Sequence, residues 1–522
     1  MTATQPAQWQ NSWFWRPNLL VFLSSACIMT LELAVGRITA PYVGVSLYTW
    51  TIVIGVVLAG ISLGNYVGGW LADRWTSPRL LGRIYILGGL FSLSILAVDV
   101  LNTFYDLERI TPDNLSFIAI LALFVIVLCF LPCVILGTIS PIVVKLAVHD
   151  LDKTGRTIGR IYAAGAAGSI LGTFTTGFFL ISWLGTRTVI WSIGMVLLLI
   201  GILLLLRRRW FGLLLSILIV GGGSAAAVNL GWLNGPCLRE TNYYCIRVHE
   251  DELDGEQVRK LVLDRLLHSY TYVDNPTKLV YGYEKLYAEA TTYQAQRKEH
   301  LSTLFIGGGG YTFPRYVEAL YPESDIHVIE IDPGVTEVAH DMLGLNRDTR
   351  VRTFNEDARM FLGREPTTSY NLIYGDAFND YTVPYHLTTR EFNERVHAWL
   401  AEDGLYMVNL IDGPYGNFMR SYAHTLRQTF RYVYMALNVD NWRRSPRSTI
   451  VFIATDTPLD MEMLQSIETG EDSPRLADLV LTEDTFDALL AEGRAITLSD
   501  SFAPTDLMLL PVFLDQVPDQ EE

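Results

Sequence analysis

The chain has 522 residues, more than one compact domain holds and enough for two or three. Half of them are hydrophobic and the mean hydropathy is +0.25, which excludes a uniformly soluble protein. The formal charge of −16 falls mostly after residue 230. That argues against nucleic acid as a partner, because binding phosphates takes a basic footprint, and it suits cationic small molecules.

Apolar runs fill the first part of the chain at about 17–38, 48–72, 80–101, 115–147, 158–184, 188–206 and 210–230. Each is long enough, at 1.5 Å per residue, to cross a hydrocarbon core of ~30 Å. The expectation is a multi-pass helical membrane bundle over residues 1–232. Pro132 and Pro141 predict a kink in the fourth run. Gly55, Gly60, Gly64, Gly68 and Gly69 in the second run, and Gly165, Gly168, Gly172 and Gly177 in the fifth, recur at helix-packing spacing. In lipid, close backbone approach at small residues supplies helix association. Glu32 and Arg37 stand out as charges inside the first run, and read either as an ion pair or as a ligand or proton site. Cys27, Cys129 and Cys133 read as packing residues, with no neighbours to complete a zinc site. The first run is too long for a cleavable signal and lacks a small-residue cleavage site.

Basic residues cluster in alternate connections, at Arg74, Arg79 and Arg83, at Lys145, Lys153 and Arg156, and at Arg207, Arg208 and Arg209. The positive-inside rule puts these and the N-terminus in the cytoplasm of a cell membrane. Seven crossings then leave the rest of the chain outside, where Cys237 and Cys245 are free to form a disulfide. An adenosyl substrate, by contrast, is made in the cytoplasm, so the side stays open.

After residue 235 the pattern changes. Asn242–Val248 and Lys260–Asp264 predict a β-hairpin region over 233–300. Over 301–522, strands are expected at Ser302–Ile306, Asp325–Ile331, Val351–Phe354, Tyr370–Asp376, Gly404–Leu410, Arg431–Leu437 and Thr449–Ala454. Helical stretches separate most of them, which implies a doubly wound, Rossmann-like α/β domain with an acidic tail.

Leu304-Phe305-Ile306 runs straight into Gly307, Gly308, Gly309 and Gly310. Such a turn lets a nucleoside approach bare backbone. The next strand ends in Glu330-Ile331-Asp332, carboxylates placed to accept from ribose hydroxyls. Asp357 and Ala358 follow the third strand, suited to an adenine edge, although Asp357 also reads as a helix cap. Asp376 ends the fourth strand, where a carboxylate can hold a cationic amine and take its proton, with Asp380 as a second charge.

These pieces together resemble the spermidine synthase family. The resemblance rests on Glu240-Thr241-Asn242-Tyr243, Leu263-Asp264, the Ile306–Gly309 turn, Glu330-Ile331-Asp332, Glu356-Asp357-Ala358-Arg359 and Asp376. Segments such as Pro384-Tyr385-His386-Leu387-Thr388 and Ala503-Pro504-Thr505-Asp506, with Glu32, Arg37, Pro41, Gly44, Ser46, Tyr48 and Trp50, are similar to its bacterial membrane-fused branch. Gly69-Trp70-Leu71-Ala72-Asp73-Arg74 is similar to a loop of major-facilitator transporters.

The resemblance implies aminopropyl transfer from decarboxylated S-adenosylmethionine to a diamine such as putrescine, releasing methylthioadenosine, with no metal. By it, Asp376 is the proton acceptor. Gly307, Gly308, Gly309, Glu330, Asp332, Asp357 and Ala358 hold the nucleoside, and Tyr244, His268, Tyr283 and Asp380 hold the amine. The chain departs from the family pattern at Gly310 and Asn379, where the family has aspartates, and at Tyr244 and His268, where it has glutamines. Two alternatives stay open: methyl transfer from S-adenosylmethionine, and a transporter or sensor that binds a nucleoside or polyamine without turnover. The expected partners are a small-molecule amine and the lipid bilayer, and a homodimer is compatible with both.

Overall fold

The computed structural model describes residues 17–98, 117–148, 151–206, 209–377, 383–413, 415–437, 442, 445, 447–467 and 475–514. It divides into two compact units, Met1–Cys245 and Ile246–Glu522.

The first unit is helical. Among the described residues, six helices are long and apolar enough to cross a membrane: α1 (Pro17–Val43), α2 (Leu47–Trp75), α3 (Pro78–Ala97), α4 (Ile118–Ala147), α5 (Thr154–Leu184) and α6 (Thr186–Leu205). A seventh, α7 (Arg209–Asn229), has 21 residues, with a shorter apolar stretch at Ile217–Asn229. They match the seven apolar runs in order. Within α4 the ladder shifts to π geometry at Ile126–Phe130, just ahead of Pro132, and again loosens at Thr138 ahead of Pro141. Proline lacks the N–H that would continue the ladder, so the expected kink sits where the chemistry puts it.

Several of the noted glycines are packing residues. A Cβ on Gly168 would stand less than 3.0 Å from Phe22 O, and one on Gly172 less than 3.0 Å from Ala26 O, so α5 lies backbone to backbone on α1. Gly64 and Gly68 meet Val134 and Thr138 of α4 in the same way. Gly55, Gly69 and Gly177 differ, since among the described residues nothing comes within 4 Å of their added Cβ. The periodicity overcounted: spacing marks one helix face, and only part of that face meets a neighbour.

The Glu32–Arg37 ion pair does not form. Arg37 instead donates to Thr241 O at 2.6 Å and Tyr243 O at 2.8 Å. Glu240 accepts from Thr186 N at 2.8 Å, and Arg187 donates to Leu96 O and Trp232 O. Cys237 and Cys245 form a disulfide. The segment after α7 is thereby tied to this unit.

The second unit opens with an antiparallel meander, β1 (Cys245–Leu253), β2 (Glu256–Leu263) and β3 (Leu266–Tyr272). The first strand begins later than expected, because Thr241 Oγ1 accepts from Tyr243 N and Tyr244 N and holds those residues in a turn. After helix α8 (Gly282–Ala295) comes a seven-stranded sheet. Its strands are β4 (Ser302–Ile306), β5 (Asp325–Ile329), β6 (Arg352–Phe354), β7 (Tyr370–Gly375), β8 (Leu400–Asp412), β9 (Tyr432–Ala436) and β10 (Ser448–Thr455). The spatial order is β9-β10-β8-β7-β4-β5-β6. Strands β4 to β8 run parallel, while β10 and β9 add an antiparallel edge. Chain order reverses between β4 and β7, which makes their C-terminal ends the switch point where such sheets bind ligands.

Candidate active site

Both key strand ends lie at that switch point. Ile306 is level with Gly375, and Asp376 N donates to Ile306 O at 2.9 Å. Gly307 has φ +99°, and a Cβ there would stand less than 3.0 Å from Asp376 O. Only glycine lets the turn after β4 and the acid after β7 come this close.

A cavity of about 260 Å³ opens beside the pair. Gly307, Gly308, Gly309 and Gly310 form one wall and β3 another, through Leu266, Leu267, His268 and Ser269. Helix α8 supplies Tyr283, Glu284 and Tyr287, and the strands supply Phe305, Tyr374, Asp376 and Asn409. The rings stack among themselves: Tyr281 on Tyr283 at 5.5 Å, and Phe305 on Tyr374 at 4.7 Å. Among the described residues no lysine or arginine is in the lining.

Asp376 is clamped from two sides. Tyr283 Oη donates to its Oδ2 at 3.0 Å, and Asn409 Nδ2 donates to its Oδ1 at 3.0 Å. Burial pushes the carboxyl upward, and the bonds from Asn409 and Tyr283, with His268 nearby, pull it back toward the charged form. Glu284 has less support: burial, then the charge on Asp376, push it to about 8 against one backbone hydrogen bond from Tyr281.

Glu330 does not line the cavity but sets its glycine wall. Its Oε2 accepts from Gly308 N at 2.8 Å and Gly309 N at 3.3 Å, and its Oε1 from Asp332 N at 2.9 Å. Burial raises this carboxyl while the three N–H groups oppose the rise. Asp332 is fully buried and caps helix α9 (Pro333–Met342) through Gly334 N. Asp357 caps helix α10 (Ala358–Leu362), accepting from Arg359 N and Met360 N, and meets His386 Nε2 at 3.3 Å.

The candidates from sequence therefore fall into groups. Gly307, Gly308, Gly309, His268, Tyr283 and Asp376 share the cavity, and Glu330 is bonded to its turn. Asp332, Asp357 and Ala358 stand at helix starts outside the lining. Tyr244 belongs to the turn before β1 and is not a lining residue. Asp380, like Asn379, is outside the described residues. Sequence reasoning passed over Glu284 and Asn409. Asn409 carried a usable signal, a lone amide inside the apolar strand Leu405–Leu410. Glu284 carried none, since glutamate in a helix is ordinary.

Residues 284–438 match the spermine/spermidine synthase domain family. The polyamine aminopropyltransferase of Vibrio vulnificus is 27% identical over 215 residues, covering 39% of this chain and 69% of that protein. That of Corynebacterium efficiens is 25% identical over 391 residues, 71% of this chain and 72% of that protein, an alignment too long for the α/β unit alone. A crystal structure of a probable spermidine synthase from Corynebacterium glutamicum covers 49% of this chain and 93% of its own, at 22% identity and a TM-score of 0.44. This chain is an enzyme whose α/β unit carries a spermine/spermidine synthase domain.

Proposed function

We propose that the α/β unit transfers an aminopropyl group from decarboxylated S-adenosylmethionine to an amine such as putrescine, and that the helical unit anchors it in a membrane. The observation that carries this is Asp376, a clamped carboxylate facing an aromatic, cation-friendly cavity directly beside the glycine turn. In the step itself the amine nitrogen forms a bond to the donor carbon next to the sulfonium. The C–S bond breaks, its electron pair stays on sulfur, and methylthioadenosine leaves neutral. Asp376 takes the proton that the attacking nitrogen loses. The donor carbon is already activated, so the protein's work is alignment and deprotonation. Gly307, Gly308 and Gly309 seat the nucleoside, with Glu330 fixing their turn; Asp357 and Ala358 are assigned to the adenine side. His268 and Tyr283 line the acceptor end.

A second reading is methyl transfer from S-adenosylmethionine. What favours it is Gly310: a Cβ there would stand less than 3.0 Å from Ser269 Oγ, so a serine hydroxyl fills the space beside the turn and no acid stands there to repel a donor carboxylate. The test incubates the detergent-solubilised full chain with each donor and putrescine, and follows products by mass spectrometry. Methylthioadenosine from the decarboxylated donor supports aminopropyl transfer; S-adenosylhomocysteine from S-adenosylmethionine replaces it by the second reading.

For orientation we propose that the basic connections after α2 and α4 face the cytoplasm. Seven crossings then put the C-terminus outside, where the Cys237–Cys245 disulfide is stable. A C-terminal reporter active only in the cytoplasm should be silent; activity would reverse the assignment and restore direct access to a cytoplasmic donor.

A further inference from the structure

The cavity holds a second carboxyl that the transfer step does not use. Glu284 is 3% exposed, its Oε2 has no hydrogen-bond partner, and it lines the same cavity as Asp376. It follows Tyr283 on α8, whose hydroxyl already serves Asp376. Three other lining residues, Ser269, Tyr287 and Asn409, also carry a buried side-chain oxygen without a partner. Buried oxygens are seldom left unpaired, because the desolvation is uncompensated. All four can accept a hydrogen bond. The walls are tyrosine rings, and among the described residues no basic side chain but His268 stands in the lining. Such a set asks for a ligand rich in donors and positively charged, which is the description of an alkylammonium. Asp376, with Tyr283 and Asn409 already bonded to it, serves one nitrogen. Glu284 is free for another.

We infer that Glu284 is a specificity-determining residue that selects a doubly charged amine, holding the ammonium that does not react and releasing its own proton as the acceptor binds. The inference rests on the acceptor being an amine, as proposed above. Before binding, Glu284 is neutral at pH 7, since burial and the charge on Asp376 disfavour ionisation. The titratable groups around it are Asp376, His268, Tyr281, Tyr283 and Tyr287. Burial holds the three tyrosines in their protonated form, which leaves Asp376 as the acidic neighbour of Glu284 among the described residues. An arriving ammonium reverses the balance: the carboxyl proton goes to solvent and a carboxylate–ammonium pair is left. A monoamine brings only the reacting nitrogen and leaves Glu284 protonated.

Calorimetry on the detergent-solubilised full chain tests this, with 1,4-diaminobutane titrated at pH 7 in two buffers of different ionisation enthalpy. About one proton should leave per diamine bound, and none with 1-aminobutane. Glu284→Gln should abolish the release and raise KM for the diamine by about 10- to 100-fold, with KM for the monoamine changed less than about twofold. Wild-type binding of the diamine without proton release, or an equal rise in both KM values, overturns the assignment. The wild-type measurement does not depend on the variant folding. Methylthioadenosine is titrated separately: if it fails to bind, the transferase reading falls, while diamine-linked proton release still decides the role of Glu284.

Discussion

Glycine means different things in the two units. In the helical unit Gly168 and Gly172 are there to be touched: they let α5 rest on the backbone of α1 at Phe22 and Ala26. In the α/β unit Gly307 and Gly309 have positive φ, and the turn they make walls a cavity. One set gains contact where hydrophobicity gives helices no reason to associate; the other keeps side chains away from a space meant for something else. The core residues differ accordingly. The α/β unit fills its interior with large rings such as Tyr287, Tyr374, Tyr406 and Tyr422.

Substitutions sharpen this contrast, beginning with the chemistry. Asp376→Asn should lower aminopropyl transfer by about 10²–10⁴-fold, the usual worth of a positioned base, and leave methylthioadenosine affinity within about twofold. Retained turnover in a product assay would remove the proton acceptor from Asp376. Next come the glycines. Gly168→Val in the helical unit and Gly307→Ala in the α/β unit should each cost roughly 1–3 kcal/mol or more from overpacking. Their consequences should part: the first lowers the yield of folded chain from detergent and spares the nucleoside site, the second reduces methylthioadenosine binding. Equal losses of binding in both would end the distinction between packing and cavity glycines. Gly55→Ala, with none of the described residues within 4 Å of the new methyl, should change the melting temperature least.

A smaller effect is expected from pH. Glu284 titrates near 4.5 when unfolded and at about 8 when folded. Below 4.5 both states hold the proton and its full contribution to stability is present. Between 4.5 and about 8 only the folded chain holds it, so stability falls as pH rises through that window. Asp376 and Glu330, also raised by burial, add to the slope in the same direction. Melting curves of wild type and Glu284→Gln should therefore diverge with rising pH, the variant gaining. Parallel curves would show that Glu284 is not held neutral in the fold.

Much of this was legible from sequence where a residue's type and its spacing carry the same message. Strand β4 lies at Ser302–Ile306 as expected, because an apolar β-branched run ending in four glycines has few other fates. The seven apolar runs became seven helices for a similar reason: length and apolarity decide the matter together. What stayed hidden depends on the third dimension. Arg37 is close to Glu32 in sequence, yet its guanidinium reaches carbonyls more than two hundred positions away. Asp332 and Glu330 look alike at a strand end, but one caps a helix and the other ties the glycine turn. Glu284 became notable only when the fold brought its helix against Asp376 and left one oxygen of its carboxyl without a partner.

The closeness of Gly307 and Asp376 bears on how this enzyme could change over generations. The proposed seat for the nucleoside and the proposed proton acceptor are joined through neighbouring strands, Asp376 N bonded to Ile306 O, with no room for even a methyl group on Gly307. A side chain at 307 would press on the backbone of Asp376, so that part of the pocket is held fixed. The other lining residues of β3 and α8, such as His268 and Glu284, do not abut that glycine–aspartate contact. New acceptor preferences, whether drifting in nature or selected at the bench, should accumulate there, on a catalytic floor that does not move.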